Sequence, residues 1–299
     1  MSWLRFKKNQ ILGVAVLFLA FSLQAQTDTA VNQKHCLWKI TAPKNTVYFL
    51  GSIHLLKKEN YPLPPAFDRA FAEAEAVVLE LNPDSLSPAR LQPLMLTKGM
   101  YAGGKTLQSS LTPETYKMAE ERLREMGMGI ALFNSFEPWL VALTIAVAKL
   151  QQLGLDPNLG VDKYFFEKAK QAGKEIRSFE TVEYQLDRID GLSPKNQEAF
   201  LLQTLKDWDL MAQELDALML AWSQGDTQTL EAKLFESFEE FPEIYAKLIA
   251  ERNRNWLPQI EKFLQQERDY LIVVGAGHLV GKDSLLQLLQ AKGHQPQQL

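Results

Sequence analysis

The sequence predicts an α/β fold whose sheet is assembled from strands near both ends of the chain, with a large helical insertion between them. Three observations lead there. An apolar strand, an amphipathic helix and a second apolar strand follow one another in residues 47–81, the order of a parallel βαβ unit. Residues 87–265 are dominated by helical periodicity. A last strongly apolar strand, residues 270–274, then comes within thirty residues of the end and needs partners in a sheet. It finds them only if the chain folds back on itself, so one domain over 36–299, with a helical subdomain at about 87–265, is preferred to two consecutive domains.

The chain opens with Arg5, Lys7 and Lys8, an apolar run over residues 11–23, and Leu23-Gln24-Ala25 as a cleavage end. This is the layout of an export signal, and the run is shorter than the ~20 apolar residues of a spanning helix. Cleavage near Ala25 would leave no transmembrane segment and place the protein in the periplasm or outside the cell; retention as an N-terminal anchor is the alternative. Residues 26–35 are polar and read as a flexible leader. Two β-rich runs, 37–40 and 47–50, flank a Pro43/Asn45 turn and predict a hairpin. A helix is expected over 65–75 and a strand buried on both faces over 76–81. Thr112-Pro113 and Ser193-Pro194 carry the cap and first-turn proline of helix starts. The stretch 136–150 is apolar nearly all round and predicts an internal helix. A helix over 162–172, a weaker strand at 174–179, long helices over 194–224 and a closing helix at 283–292 complete the pattern.

A net charge of −4 supplies no basic field for a phosphate backbone, so nucleic acid is not an expected partner. Cys36 is the only cysteine, which rules out an intrachain disulfide, and it reads as a small buried apolar residue. The absence of Gly-x-Ser-x-Gly and His-Glu-x-x-His disfavours the serine-hydrolase elbow and the zincin helix.

Chemistry concentrates in three places. Gly51-Ser52-Ile53-His54 and Gly275-Ala276-Gly277-His278 each follow an apolar strand, and ligands in parallel α/β sheets collect at the strands' carboxyl ends. Glu80 interrupts a buried apolar strand, where a carboxylate needs a cation, a metal or a set of hydrogen bonds. A strand-end histidine is often only a hydrogen-bonded structural residue, and a buried glutamate often pairs with arginine. Two matching tetrads and a strand carboxylate set a metal site beside those structural readings, because imidazole nitrogen and carboxylate oxygen suit zinc, manganese or iron. Glu80 is then a ligand or the general base. Arg252 is expected to orient a substrate or steady Glu80. Glu137, Asp162, Glu180 and Asn253 lie at transitions between elements and are candidates to support the site, although caps and surface ion pairs explain many such residues. Residues 274–281 also resemble a dinucleotide-binding glycine loop, but the acidic residue expected about 20 positions later is replaced by Gln295-Pro296-Gln297-Gln298, which disfavours a nicotinamide site.

Trp38-Lys39-Ile40, Tyr48-Phe49-Leu50-Gly51-Ser52-Ile53-His54-Leu55 and Val78-Leu79-Glu80-Leu81 resemble the opening of the TraB/PrgY/GumN family. Glu137-Pro138-Trp139, Gly160-Val161-Asp162, Phe179-Glu180-Thr181, Gln185-Leu186, Ala221-Trp222, Gly225-Asp226, Glu251-Arg252-Asn253 and residues 274–281 follow in the family's order, so the resemblance spans about 36–296. It implies an EreA/ChaN-like fold and, by analogy with TIKI proteins, a metalloprotease-type activity using the two Gly-x-x-His motifs and a glutamate. Those positions are His54, His278 and Glu80 here, and dependence on manganese or cobalt belongs to the same analogy. Asn82 stands where relatives often carry an acidic residue. The expected function is an exported metal-dependent peptidase or amidase acting on a peptide or small molecule. A non-catalytic peptide- or haem-binding protein is the alternative, and a metal-free esterase with a histidine base is a third reading.

Overall fold

The computed structural model describes residues 34–235, 238 and 241–299; the expected export signal and nearly all of the leader lie outside the described residues. β1 (Leu37–Thr41) and β2 (Thr46–Ser52) form the expected hairpin, with Leu37 opposite Leu50 and Thr41 opposite Thr46. Asn45 closes the turn and donates through Nδ2 to the carbonyls of Phe263 and Arg268, both at 2.8 Å, which ties the hairpin to the far end of the chain. The helix Pro65–Glu73 leads to β3 (Ala76–Leu79), and β4 (Glu175–Ser178), β5 (Tyr270–Gly275) and β6 (Gln297–Gln298) complete a six-stranded sheet. Its order is β4-β3-β5-β2-β1-β6, with the first four parallel and β1 and β6 antiparallel additions at one edge.

β5 is the hinge of this arrangement. It pairs with β2 from Val47–Tyr270 to Ser52–Gly275 and with β3 from Ala76–Tyr270 to Leu79–Val273, so the two extremities of the chain do share one sheet. Every residue of β3 and the first five of β5 are buried, which explains their unbroken Val/Ile/Leu character: a parallel strand covered on both faces has no solvent side to make polar. Phe67 and Phe71, Phe165 and Phe166, Trp256, Ile260 and Phe263, and Leu285 and Leu289 bring four helices into the same core. A second core, with Leu123, Val141, Ile145, Leu201, Leu205 and Trp208, holds the helical insertion together. Trp139, Leu140, Val182 and Leu186 form a smaller third cluster, with Leu81 packed against it.

The long helices expected over 194–224 are Pro194–Lys206 and Met211–Gln224, with Trp208 between them packed in the second core. Three expectations need adjusting. The helix Pro138–Gln152 is internal only in its first half; Val147 is exposed. β3 stops at Leu79, one residue short of Glu80. β6 was not expected, since two glutamines carry no strand signal and only pairing to Trp38 and Lys39 makes them one. No helix among the described residues is long and apolar enough to cross a membrane.

Candidate active site

All four parallel strands deliver a polar residue at their carboxyl ends. His54 lies two residues beyond β2, Glu80 directly follows β3, Glu180 lies two residues beyond β4, and β5 ends at Gly275 with His278 in the next turn. The crevice outside such strand ends is the general ligand position of open α/β sheets.

Glu80 is the buried centre. Its Oε1 accepts the Gly275 N–H at 2.6 Å, and its Oε2 accepts from Arg252 Nη2 at 2.5 Å and from Gln185 Nε2 at 3.3 Å. A Cβ at position 275 would lie 3.1 Å from Glu80 Oε1 and 3.5 Å from His54 Nε2, so glycine is what lets this backbone approach so closely. Burial on its own would raise the carboxyl's pKa, but Arg252, the nearby imidazoles and the Gly275 N–H outweigh it and hold Glu80 well below the usual carboxylate range.

The two imidazoles approach the same oxygen. His54 Nε2 lies 3.9 Å and His278 Nε2 3.8 Å from Glu80 Oε1. Each ring is fixed through its other nitrogen. Asp162 Oδ1 pairs with His54 Nδ1 at 3.0 Å and also accepts from Ser52 Oγ at 3.0 Å. Asn253 Nδ2 donates to the Asp283 carbonyl at 2.8 Å, which leaves its Oδ1 to accept His278 Nδ1–H at 2.6 Å. The His278 proton therefore sits on Nδ1, and Nε2 turns a lone pair towards the site.

Their electrostatics differ. His278 is buried, and that burial, reinforced by Arg252, pushes its pKa down to about 3 despite Glu80, so it is neutral. His54 is half-exposed at the mouth. Desolvation opposes its charge, but the Asp162 carboxylate and then Glu80 prevail and raise it to about 9.

Arg252 is committed to the protein. Nε donates to Glu180, Nη1 to the Leu248 carbonyl and to His278 Nε2 (both 3.1 Å), and Nη2 to Glu80 and Glu180. All five N–H bonds are engaged within the protein, which supports the role of steadying Glu80, one of the two foreseen for Arg252. A π-helical turn, Ala246–Ala250, directly precedes the helix Glu251–Phe263 and ends just before this residue, a feature common beside functional sites.

The sequence-predicted residues mostly converge. His54, Glu80, Asp162, Glu180, Arg252, Asn253 and His278 form one connected network, with Gly51 and Ser52 at the end of β2 and Gly275 touching Glu80. Two are placed elsewhere. Glu137 precedes the helix Pro138–Gln152 and accepts from Gln197 Nε2 at 3.0 Å, a contact inside the helical insertion. Gly277 faces Phe235 and Ile249, so it serves packing behind the turn. Sequence reasoning did not select Gln185, which joins Glu80 to Glu180, or Trp256, whose Nε1 donates to Glu180 at 2.8 Å and whose ring packs 4.5 Å from His278. Part of their signal is there to be seen: Arg252 and Trp256 are four apart on one helix and face the same way.

The donor set suits a divalent ion: two imidazole nitrogens and a carboxylate oxygen, with both rings oriented from behind by an oxygen acceptor. Two donors that each lie ~2 Å from one ion are at most ~4 Å apart. The separations of 3.8 and 3.9 Å sit near that limit, but among the described residues no group of three or more such side chains stands where it could hold an ion. An ion on His278 Nε2 would displace the Arg252 Nη1 contact to that atom. A cleft of about 730 Å³ opens beside His54, Glu80, Asp162 and Gln185, within the usual range for ligand pockets.

The chain is 27% identical to YbaP of Escherichia coli over 87% of its own length and 96% of that protein. It is 19% identical to a Treponema pallidum protein, over 87% of this chain and 82% of that one. It is 22% identical to the metalloprotease TIKI2 of Danio rerio, over 90% of this chain and 62% of TIKI2. No solved structure matches it. The model of the TraB/PrgY/gumN family matches residues 36–298, and the chain belongs to that family.

Proposed function

We propose that the protein is a metal-dependent hydrolase of peptide or amide bonds. The observation that carries this reading is the approach of His54 Nε2 and His278 Nε2 to one oxygen of Glu80, at the edge of a ligand-sized cleft. The likeness to a protein named as a metalloprotease supports it. His54, His278 and Glu80 would hold the ion, which is manganese, cobalt or zinc. When bound, a divalent ion polarises the attacked carbonyl and acidifies water.

The chain's own residues supply the rest. Asp162 and Asn253 keep the two rings turned towards the site. Arg252 and the Gly275 N–H keep Glu80 ionised, and a carboxylate held so acidic serves better as a charged anchor than as a proton carrier. Gln185 Nε2, in the cleft lining, is a donor close to Glu80 and suited to a substrate carbonyl once that contact opens. The basic, then apolar, start of the sequence supports action in the periplasm or outside the cell.

The test combines metal content with cleavage of a mixed peptide library by the wild type, His54→Ala, Glu80→Gln and His278→Ala. The wild type is expected to bind about one equivalent of metal and to cleave, with each variant losing at least ~100-fold in activity. Equal activity in all four proteins sinks the reading. Bound peptide without product would instead mark a binding protein. One observation favours a second chemistry: the Ser52–Asp162–His54 chain resembles the support of a histidine base. A pKa raised to about 9 leaves that ring charged at neutral pH, so it must lose a proton either to act as a base or to bind an ion. Turnover that survives chelators would favour the base.

A further inference from the structure

The chain that leaves β3 through Glu80 continues directly into one wall of the cleft. Leu81, Pro83 and Leu86 line it there, and Leu55, the residue after His54, lines it as well. The wall is a built turn: Asn82 Oδ1 accepts the Asp84 N–H at 3.0 Å, and Lys170 pairs with Asp84 at 3.1 Å. Leu86 nevertheless leaves 41% of its surface in solvent, a large apolar side chain presented on a concave surface beside the reacting groups.

The charges around it are already answered. Lys163, in the lining, is paired with Glu167 at 2.6 Å, and Asp84 is paired with Lys170. The floor carries Glu80 and Asp162, which Arg252 and His54 respectively answer. Most of the surface lining the cleft is apolar.

We propose that this cleft selects an uncharged peptide segment with a branched aliphatic or aromatic side chain next to the reacting carbonyl, seated against Leu55, Leu81, Pro83 and Leu86. The inference rests on the hydrolase reading above and adds its substrate class. Such a side chain gains by leaving water against the wall, whereas a charged one would have to surrender its hydration without receiving a partner.

The test reads binding separately from turnover. The full chain is titrated with N-acetyl-leucine amide, N-acetyl-lysine amide and N-acetyl-glutamate amide while the ring signal of half-exposed His54 is followed by NMR, assigned with His54→Gln. The leucine compound is expected to shift that signal saturably and to bind at least ~tenfold more tightly than either charged compound, the scale on which an apolar pocket discriminates. Leu86→Asp should weaken the leucine compound about tenfold, while Leu86→Phe retains it. Comparable binding of all three compounds, no His54 shift with any, or unchanged leucine binding in a folded Leu86→Asp variant overturns the proposal. Peptides bearing the same three side chains are incubated in parallel. Selective binding without cleavage keeps the apolar subsite and removes the hydrolase reading; cleavage without preference does the reverse.

Discussion

At the scale of single residues, buried ionisable groups fall into two kinds here, those given partners and those kept neutral. Glu80, Glu180 and Arg252 satisfy one another, and removing one member would strand charge in the interior. Cys36 belongs to the other kind. It is fully buried beside the Gly51 backbone, and burial pushes its thiol up to about 12. Its unfolded pKa is ~8.5, so the native state resists losing a proton that the unfolded chain gives up readily. The sign follows: the contribution to stability is complete below about pH 8.5 and is lost as pH rises towards 12. Over that window the wild type should lose ~1.4 kcal/mol more per pH unit than Cys36→Ala, measured by urea unfolding. The native thiol should also stay silent to a disulfide reagent at pH 8 and react only after denaturation. Rapid native reaction would show that the site is open. Cys36 was read as a small buried apolar residue from its residue type, and it is buried. The role of Asp162 was harder to see, because an acidic residue in the first turn of a helix is so often merely favourable to the helix dipole.

At the scale of elements, what the sequence made legible was hydrophobic patterning, and what it hid was anything imposed from outside the element. β2, β3 and β5 are apolar runs that read correctly as buried strands, and Thr112 and Ser193 cap the helices expected of them. β6 was invisible because it is decided by a distant partner, Trp38 and Lys39. Close approach between elements is equally hard to read. The Gly-x-x-His segment after β2 is clamped where Val161 N–H donates to the Ile53 carbonyl at 3.0 Å, and a Cβ on Gly160 would come within 2.3 Å of the His54 carbonyl oxygen. Gly51 is squeezed in the same way, with a Cβ there only 2.3 Å from Cys36 Sγ. Gly51→Ala should therefore cost ~1–3 kcal/mol through overpacking. Cys36→Ala removes the offending sulfur, so the double variant should recover part of that loss, giving a coupling energy of ~0.5 kcal/mol or more in a double-mutant cycle. Strict additivity of the two changes would mean that the β1–β2 contact is looser than these distances state.

At the scale of the whole molecule, the site exists because the chain closes on itself. His54 and His278 are supplied by adjacent parallel strands, β2 and β5, whose paired residues are more than 220 positions apart in sequence, from Val47–Tyr270 to Ser52–Gly275. Closing so long a loop is entropically costly until the sheet contacts compensate, so this topology should fold slowly, with the site among the last features to form. The same closure brings the two ends of the described fold together: Leu299 N–H donates to the Leu37 carbonyl at 2.9 Å, and His35 N–H donates to the Leu299 carbonyl at 2.6 Å. Joining residue 299 to residue 36 through a short flexible linker should strain nothing. New ends can be opened between Gly103 and Gly104, which are exposed, have positive φ and leave open space, with no atom within 4 Å of where a Cβ would stand. In that permutant β5 precedes β2 by only a short stretch of chain, so refolding should accelerate while stability stays within about 1 kcal/mol of the wild type, read by stopped-flow fluorescence and urea titration. Because His54, Glu80 and His278 keep their places at the strand ends, whatever metal content and activity the wild type shows should be retained as well. A permutant that folds to equal stability yet refolds no faster would show that pairing the two extremities is not the slow event, and that assembly of the helical insertion sets the rate instead.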